Sequence, residues 1–117
     1  MMPARAKTTF GKPYPMFEAM CLAHGIKKPD REVRFHEVRQ WRFDFAWGQH
    51  YHEAFRRVAL EVDGGVWTSG RHVRGKGFIS DMEKMNEAQL AGWLVLRCTP
   101  QDIESGAVFE LLKRALC

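Results

Sequence analysis

Hydrophobic positions along the chain change period several times. From Met16 to Gly25, Phe17, Met20 and Cys21, with Ala23 beside them, recur at helical spacing, and Gly25 suits a helix stop. Glu18 lies off that stripe, near its edge. After the Pro29-containing connection Lys27–Arg31, Val33, Phe35 and Glu37 and then Trp41, Phe43, Phe45 and Trp47 alternate with polar partners, which predicts two strands. Arg57–Val62 is an apolar run of strand length with a single carboxylate in it, the pattern of a central strand covered on both faces. Asp63-Gly64-Gly65 then marks a turn, and Gly70–Gly77 combines three glycines with Arg71, His72, Arg74 and Lys76 in a basic loop. Helical spacing returns from Phe78 to Ala91, with Ser80 or a neighbour as cap and Gly92 as stop. Trp93–Cys98 is a short strand. Thr99 and Pro100 form a helix start, with Val108, Phe109, Leu111 and Leu112 as the later packing face.

The predicted order is α-β-β-β-α-β-α. A three-strand meander followed by a crossover helix to a fourth strand gives a mixed sheet with helices on its faces, an α/β (mixed α+β) fold class. Residues 1–15 hold three of the five prolines and no periodicity, so they read as an N-terminal arm before one domain over 16–117. The 117 residues are 45% hydrophobic and 27% charged, which excludes a disordered chain and suits one small domain. The net charge of +4 permits a polyanionic partner without requiring one. No window resembles a membrane span or a secretory signal, so a soluble, intracellular protein is expected. Cys21, Cys98 and Cys117 are scattered, without a Cys-x-x-Cys pair, and read as reduced thiols, Cys98 in the core.

Candidate chemistry lies where strands should be apolar. Strict alternation puts Asp44 on the face opposite Phe43 and Phe45, while Glu61 and Asp63, two residues apart, share a face. If the strands are neighbours, three carboxylates converge, and a hard divalent cation such as Mg²⁺ would relieve their repulsion. The plainer alternative pairs Asp44 with Arg42, Arg57 or another base and leaves Asp63 as a turn acid. Arg71, His72, Arg74 and Lys76 suit phosphate contacts, or else a solvated loop. Trp67 either stacks on a base or is buried. His50 and His52 form a His-x-His pair without a clustered third ligand. Trp41, Trp47 and Trp93 read as core.

Arg-Phe-Asp-Phe (42–45), Glu-Val-Asp-Gly-Gly (61–65), Asp-Met-Glu-Lys (81–84) and Gly-Trp-Leu-Val-Leu-Arg (92–97) together resemble the PD-(D/E)XK nuclease superfamily. The similarity is greatest to its small phage and bacterial branch related to the very-short-patch-repair and DUF559 types, and runs from Glu18 to Asp102. It implies a restriction-endonuclease-like αβββαβ core with a C-terminal helix. It also implies metal ligation by Asp44 and Glu61, with Glu18 as a first-helix acid; chemically, Asp63 would complete the metal shell or accept a proton. Asp63 stands where the family usually has Lys, and Lys84 is the candidate for a lysine migrated to the following helix, ahead of Gln89. The implied activity is Mg²⁺- or Mn²⁺-dependent endonucleolytic cleavage of DNA, with junction or branched DNA among the substrates. The implied setting is the cytoplasm of a bacterial or phage-infected cell. A homodimer is expected only for a junction resolvase, which needs two active sites. The competing expectations are a catalytically inactive nuclease-fold DNA-binding domain and, more weakly, a structural or partner-binding protein.

Overall fold

A computed structural model describes residues 16–48, 57–64 and 75–116, with the side chains of residues 75, 76 and 78 left aside. The arm expected over residues 1–15, His50, His52, Trp67, Arg71, His72, Arg74 and Cys117 lie outside the described residues.

Helix α1 (Phe17–Ala23) leads into strands β1 (Asp30–Arg34), β2 (Arg42–Trp47) and β3 (Arg57–Val62). Helix α2 (Gly75–Leu90), strand β4 (Trp93–Cys98) and helices α3 (Pro100–Ser105) and α4 (Ala107–Leu116) complete the chain. The four strands form one sheet in the order β1-β2-β3-β4. β1 to β3 pair antiparallel and β3 pairs parallel with β4 from Arg57↔Trp93 to Val62↔Cys98. This is the expected meander plus crossover. No described helix is long and apolar enough to cross a membrane.

Side-chain alternation along β3 sorts the helices into two layers. Val58, Leu60 and Val62 pack with Phe17 and Cys21 of α1, Ile103 of α3 and Val108, Phe109 and Leu112 of α4. Ala59, between them, joins Trp93 and Ala88 of α2 on the other face. The first layer is stitched by aromatics, Phe17 lying 4.3 Å from the Phe45 ring and 5.6 Å from that of Phe109. Burying each such side chain contributes about 1.5–3 kcal/mol, so this layer carries most of the hydrophobic stabilisation. Cys21 and Cys98 are buried in it as free thiols, both pushed up to about 12, chiefly by desolvation.

Local chemistry sets the element ends. Gly25, at φ +77°, closes α1: the Ile26 N–H donates to the Cys21 carbonyl at 2.7 Å and the Gly25 N–H to that of Leu22 at 3.0 Å. Thr99 caps α3 reciprocally with Asp102 (Asp102 N–H to Thr99 Oγ1 3.3 Å, Thr99 N–H to Asp102 Oδ2 2.9 Å).

Four expectations are corrected. The C-terminal helix is two helices, broken at Gly106, whose φ of +88° no helix interior allows. Helix α2 begins at Gly75, so the end of the expected basic loop is its first turn and Ser80 lies inside the helix rather than capping it. The first strand ends at Arg34, leaving Phe35 and Glu37 to the connection before β2. Alternation also fails at Asp44: Phe45 and Trp47 pack toward α1, whereas Phe43 packs with Val33 and Trp93 on the α2 side. Phe43 and Phe45 thus face opposite ways, with Asp44 at the crossing. Its cross-strand neighbourhood is irregular too, since Glu32, between the paired residues Arg31↔Phe45 and Val33↔Phe43, has a left-handed φ of +52°.

Candidate active site

The switch of faces at Asp44 turns its carboxylate toward β3. The β2–β3 register runs from Trp47↔Val58 to Phe45↔Leu60. Beyond it, Asp44 Oδ2 accepts a 2.7 Å hydrogen bond from the Val62 backbone N–H, so a side chain occupies the place of a ladder acceptor. Burial holds the Asp44 carboxyl above its ordinary range. The Val62 hydrogen bond and Lys84 oppose that rise, while Glu32 and Asp63 add to it.

Glu61, on the same strand face as Ala59, points toward α2. There Lys84 Nζ lies 2.8 Å from Glu61 Oε2, with the two side chains only 15% and 13% exposed. The ammonium also donates to the Arg42 carbonyl at 2.8 Å and sits 5.8 Å above the Phe43 ring. Oε2 is fully buried and accepts no well-directed hydrogen bond, so Lys84 compensates it by charge at close range and off the line a hydrogen bond needs. Desolvation pushes the Glu61 carboxyl up to about 7; Lys84 pulls it down, and Asp44 and Asp63 push it further up. Burial thus disfavours the ionised form of Glu61, which a positive charge at this position offsets.

Asp63 follows β3, its N–H donating to the Cys98 carbonyl at 2.7 Å. Its carboxylate is gripped by Arg97 of β4, Nε to Oδ2 at 2.8 Å and Nη2 to Oδ1 at 2.9 Å, while Nη1 reaches Asp81 of α2 at 3.0 Å. These bonds, those to Asp63 foremost, raise the Arg97 pKa. Asp44, Glu61 and Lys84 are thus brought together, with Asp63 one layer out in its own ion pair. Glu18 sits on α1, across the sheet, where its charge acts on the Cys21 thiol. Gln89 is exposed on α2. Of the expected DNA-contacting residues, Lys76 falls in the first turn of α2 and Arg71, His72 and Arg74 lie outside the described residues.

Two charged residues had no part in the sequence reading of the site. Arg97 is the register partner of Glu61, and its signal was present: one cation in the otherwise apolar Trp-Leu-Val-Leu-Arg-Cys. Glu32, whose charge acts on Asp44, follows from cross-strand pairing and backbone geometry that no local pattern announces.

Among the described residues no group of three or more His, Cys, Asp or Glu is placed to hold a metal ion. Asp44 and Glu61 still make a donor pair suited to Mg²⁺, which takes one or two carboxylates and fills its shell with water and phosphate oxygens. Both carboxyls are raised by burial, which a cation would offset, although at Glu61 Oε2 that cation would share the oxygen with the Lys84 ammonium 2.8 Å away. Asp63 joins such a shell only if Arg97 releases it. No protein-family model, curated protein or solved structure matches the chain.

Proposed function

We propose that this protein is a metal-dependent DNA endonuclease that hydrolyses phosphodiester bonds on a restriction-endonuclease-like core. The observation that carries the reading is the Asp44–Glu61–Lys84 constellation, two desolvated carboxylates and an ammonium gathered where β2 parts from β3 beneath α2. A purely structural role gains little from it, because buried charge pairs rarely exceed an apolar equivalent in stability. The αβββαβ order and mixed sheet support the same reading.

Asp44 and Glu61 would hold Mg²⁺ or Mn²⁺, which when bound polarises a phosphate and lowers the pKa of its water. Asp44 is kept in place by the Val62 N–H, and Lys84 offers a positive charge to an approaching phosphate oxygen. If the substrate is branched DNA such as a four-way junction, a homodimer carrying two sites is expected. Incubation of supercoiled plasmid, linear duplex, single strand and four-way junction with Mg²⁺ or Mn²⁺ tests the reading. Cleavage abolished by chelator is the expected result, and inertness on all four substrates would overturn it.

One observation favours a second reading, a catalytically inactive nuclease-fold DNA-binding domain. Glu61 is already paired with Lys84 and Asp63 with Arg97, so the cluster is partly neutralised without any metal. That reading requires DNA binding indifferent to divalent cations and no cleavage.

A further inference from the structure

We propose that the β1–β2 connection and its flanks, residues 34–42, form a nucleic-acid contact surface that holds a phosphate backbone beside the Asp44–Glu61–Lys84 site. This rests on the nuclease-fold reading of that site and assigns DNA contacts to a second segment of the chain, apart from residues 71–76.

The stretch Arg-Phe-His-Glu-Val-Arg-Gln-Trp-Arg carries three arginines against one glutamate, with two large aromatics between them. Arg34, Arg39 and Arg42 are exposed, and Val38 at the tip is 75% exposed. The tip is nonetheless ordered by its own hydrogen bonds. His36 Nδ1 accepts from the backbone N–H of Val38 at 3.2 Å and of Arg39 at 3.0 Å, and the Arg34 guanidinium reaches the carbonyls of Glu37 and Arg39, both at 3.4 Å. An ordered cationic turn loses little entropy on docking.

A column of stacked groups joins the turn to the site. Lys84 Nζ lies over Phe43, Phe43 stacks on Phe35 at 4.3 Å and 6°, Phe35 on Trp41 at 6.1 Å and 15°, and the Arg39 guanidinium caps Trp41 at 4.0 Å. The buried end of the column touches the site lysine and the outer end presents a cation on a half-buried indole. Arg42 is next to Phe43, and its backbone carbonyl is the one Lys84 binds. A backbone lying along Arg39 and Arg42 therefore passes the site. The groups now facing the turn are exposed α2 acids: Glu83 lies 3.5 Å from Arg39 and Glu87 3.6 Å from His36. Exposed ion pairs that long cost little to exchange for phosphate contacts.

The test measures binding of a labelled DNA duplex by fluorescence anisotropy across a salt series, with EDTA present so that cleavage does not intervene. Arg39→Ala/Arg42→Ala is compared with Lys113→Ala/Arg114→Ala on α4, which removes the same net charge elsewhere. Because Arg42 binds Lys84 through its backbone carbonyl, its substitution leaves that hydrogen bond in place. The expected result is affinity at least ~10-fold weaker in the first variant, and a slope of log affinity against log salt reduced by about 2, near 0.9 for each phosphate no longer neutralised. The control should match wild type. Trp41→Ala, with folding checked by thermal unfolding, should weaken binding without changing the slope. Equal binding by the Arg39/Arg42 variant and the control overturns this surface while leaving the nuclease reading intact. Binding abolished at Arg39/Arg42 in a protein that cleaves nothing with Mg²⁺ or Mn²⁺ overturns the endonuclease and keeps the surface. Absence of DNA binding in wild type overturns this surface, and the nuclease reading falls with it only if none of the four substrates is cleaved with Mg²⁺ or Mn²⁺.

Discussion

The two faces of the sheet are built to different ends. The face covered by α1, α3 and α4 is closed by aromatics and aliphatics, with Phe17, Phe45, Leu60, Phe109 and Leu112 almost wholly buried. The face beneath α2 has a small apolar patch around Val33, Phe43, Ala59, Ala88 and Trp93, and beyond it the side chains are charged: Glu61 with Lys84, and Arg97 with Asp63 and Asp81. One strand serves both, β3 sending Val58, Leu60 and Val62 one way and Ala59 and Glu61 the other. The first face supplies stability, which leaves the second able to carry desolvated charge that an autonomous core would not tolerate.

Four substitutions or titrations sharpen that contrast. The largest effect belongs to the closed face. Phe45→Ala should destabilise the protein by about 3–5 kcal/mol, read by denaturant unfolding, through reduced burial and the cavity left against Phe17. Next comes the charged face, through pH. Because the folded Glu61 carboxyl is raised from 4.5 to about 7, the unfolded chain ionises it first as pH climbs. Metal-free stability should therefore be greatest below about 4.5 for this group, fall across the window up to about 7 and then level off. The drop is about 3 kcal/mol, and Glu61→Gln should remove it. Smaller is Gly106→Ala, which forces a Cβ onto φ +88° at the α3–α4 break and should cost about 1 kcal/mol or somewhat more. Smallest is Lys113→Ala, whose 3.6 Å surface pair with Glu110 should change stability by less than about 0.5 kcal/mol. A Phe45→Ala variant as stable as wild type would contradict the closed face as the source of stability.

The same contrast shows what could be read from the chain alone. β3, β4, the α1 stop at Gly25 and the Thr99–Pro100 start of α3 were legible because each rests on local chemistry: an apolar run, a left-handed glycine, a capping hydroxyl. The meeting of Lys84 with Glu61 was also within reach, since a crossover helix returns over the strand it leaves. The direction of the Asp44 side chain was not. Alternation assumes an unbroken strand, and β2 changes face at that residue opposite the left-handed Glu32. Nor does spacing disclose that Arg97 withdraws Asp63 from Asp44 and Glu61. That depends on the β3–β4 register, fixed by packing between strands 34 residues apart along the chain at Asp63 and Arg97.

On the proposed function, the charged face hydrolyses DNA with a divalent cation held at Asp44 and Glu61. The most direct measurement is Mn²⁺-dependent cleavage of supercoiled plasmid by wild type and by Glu61→Gln, with circular dichroism confirming that both are folded. Wild type should cleave, and the variant should lose at least ~100-fold in rate, as befits removal of a group acting on the reacting centre. Equal cleavage rates in the two proteins would contradict the proposed function.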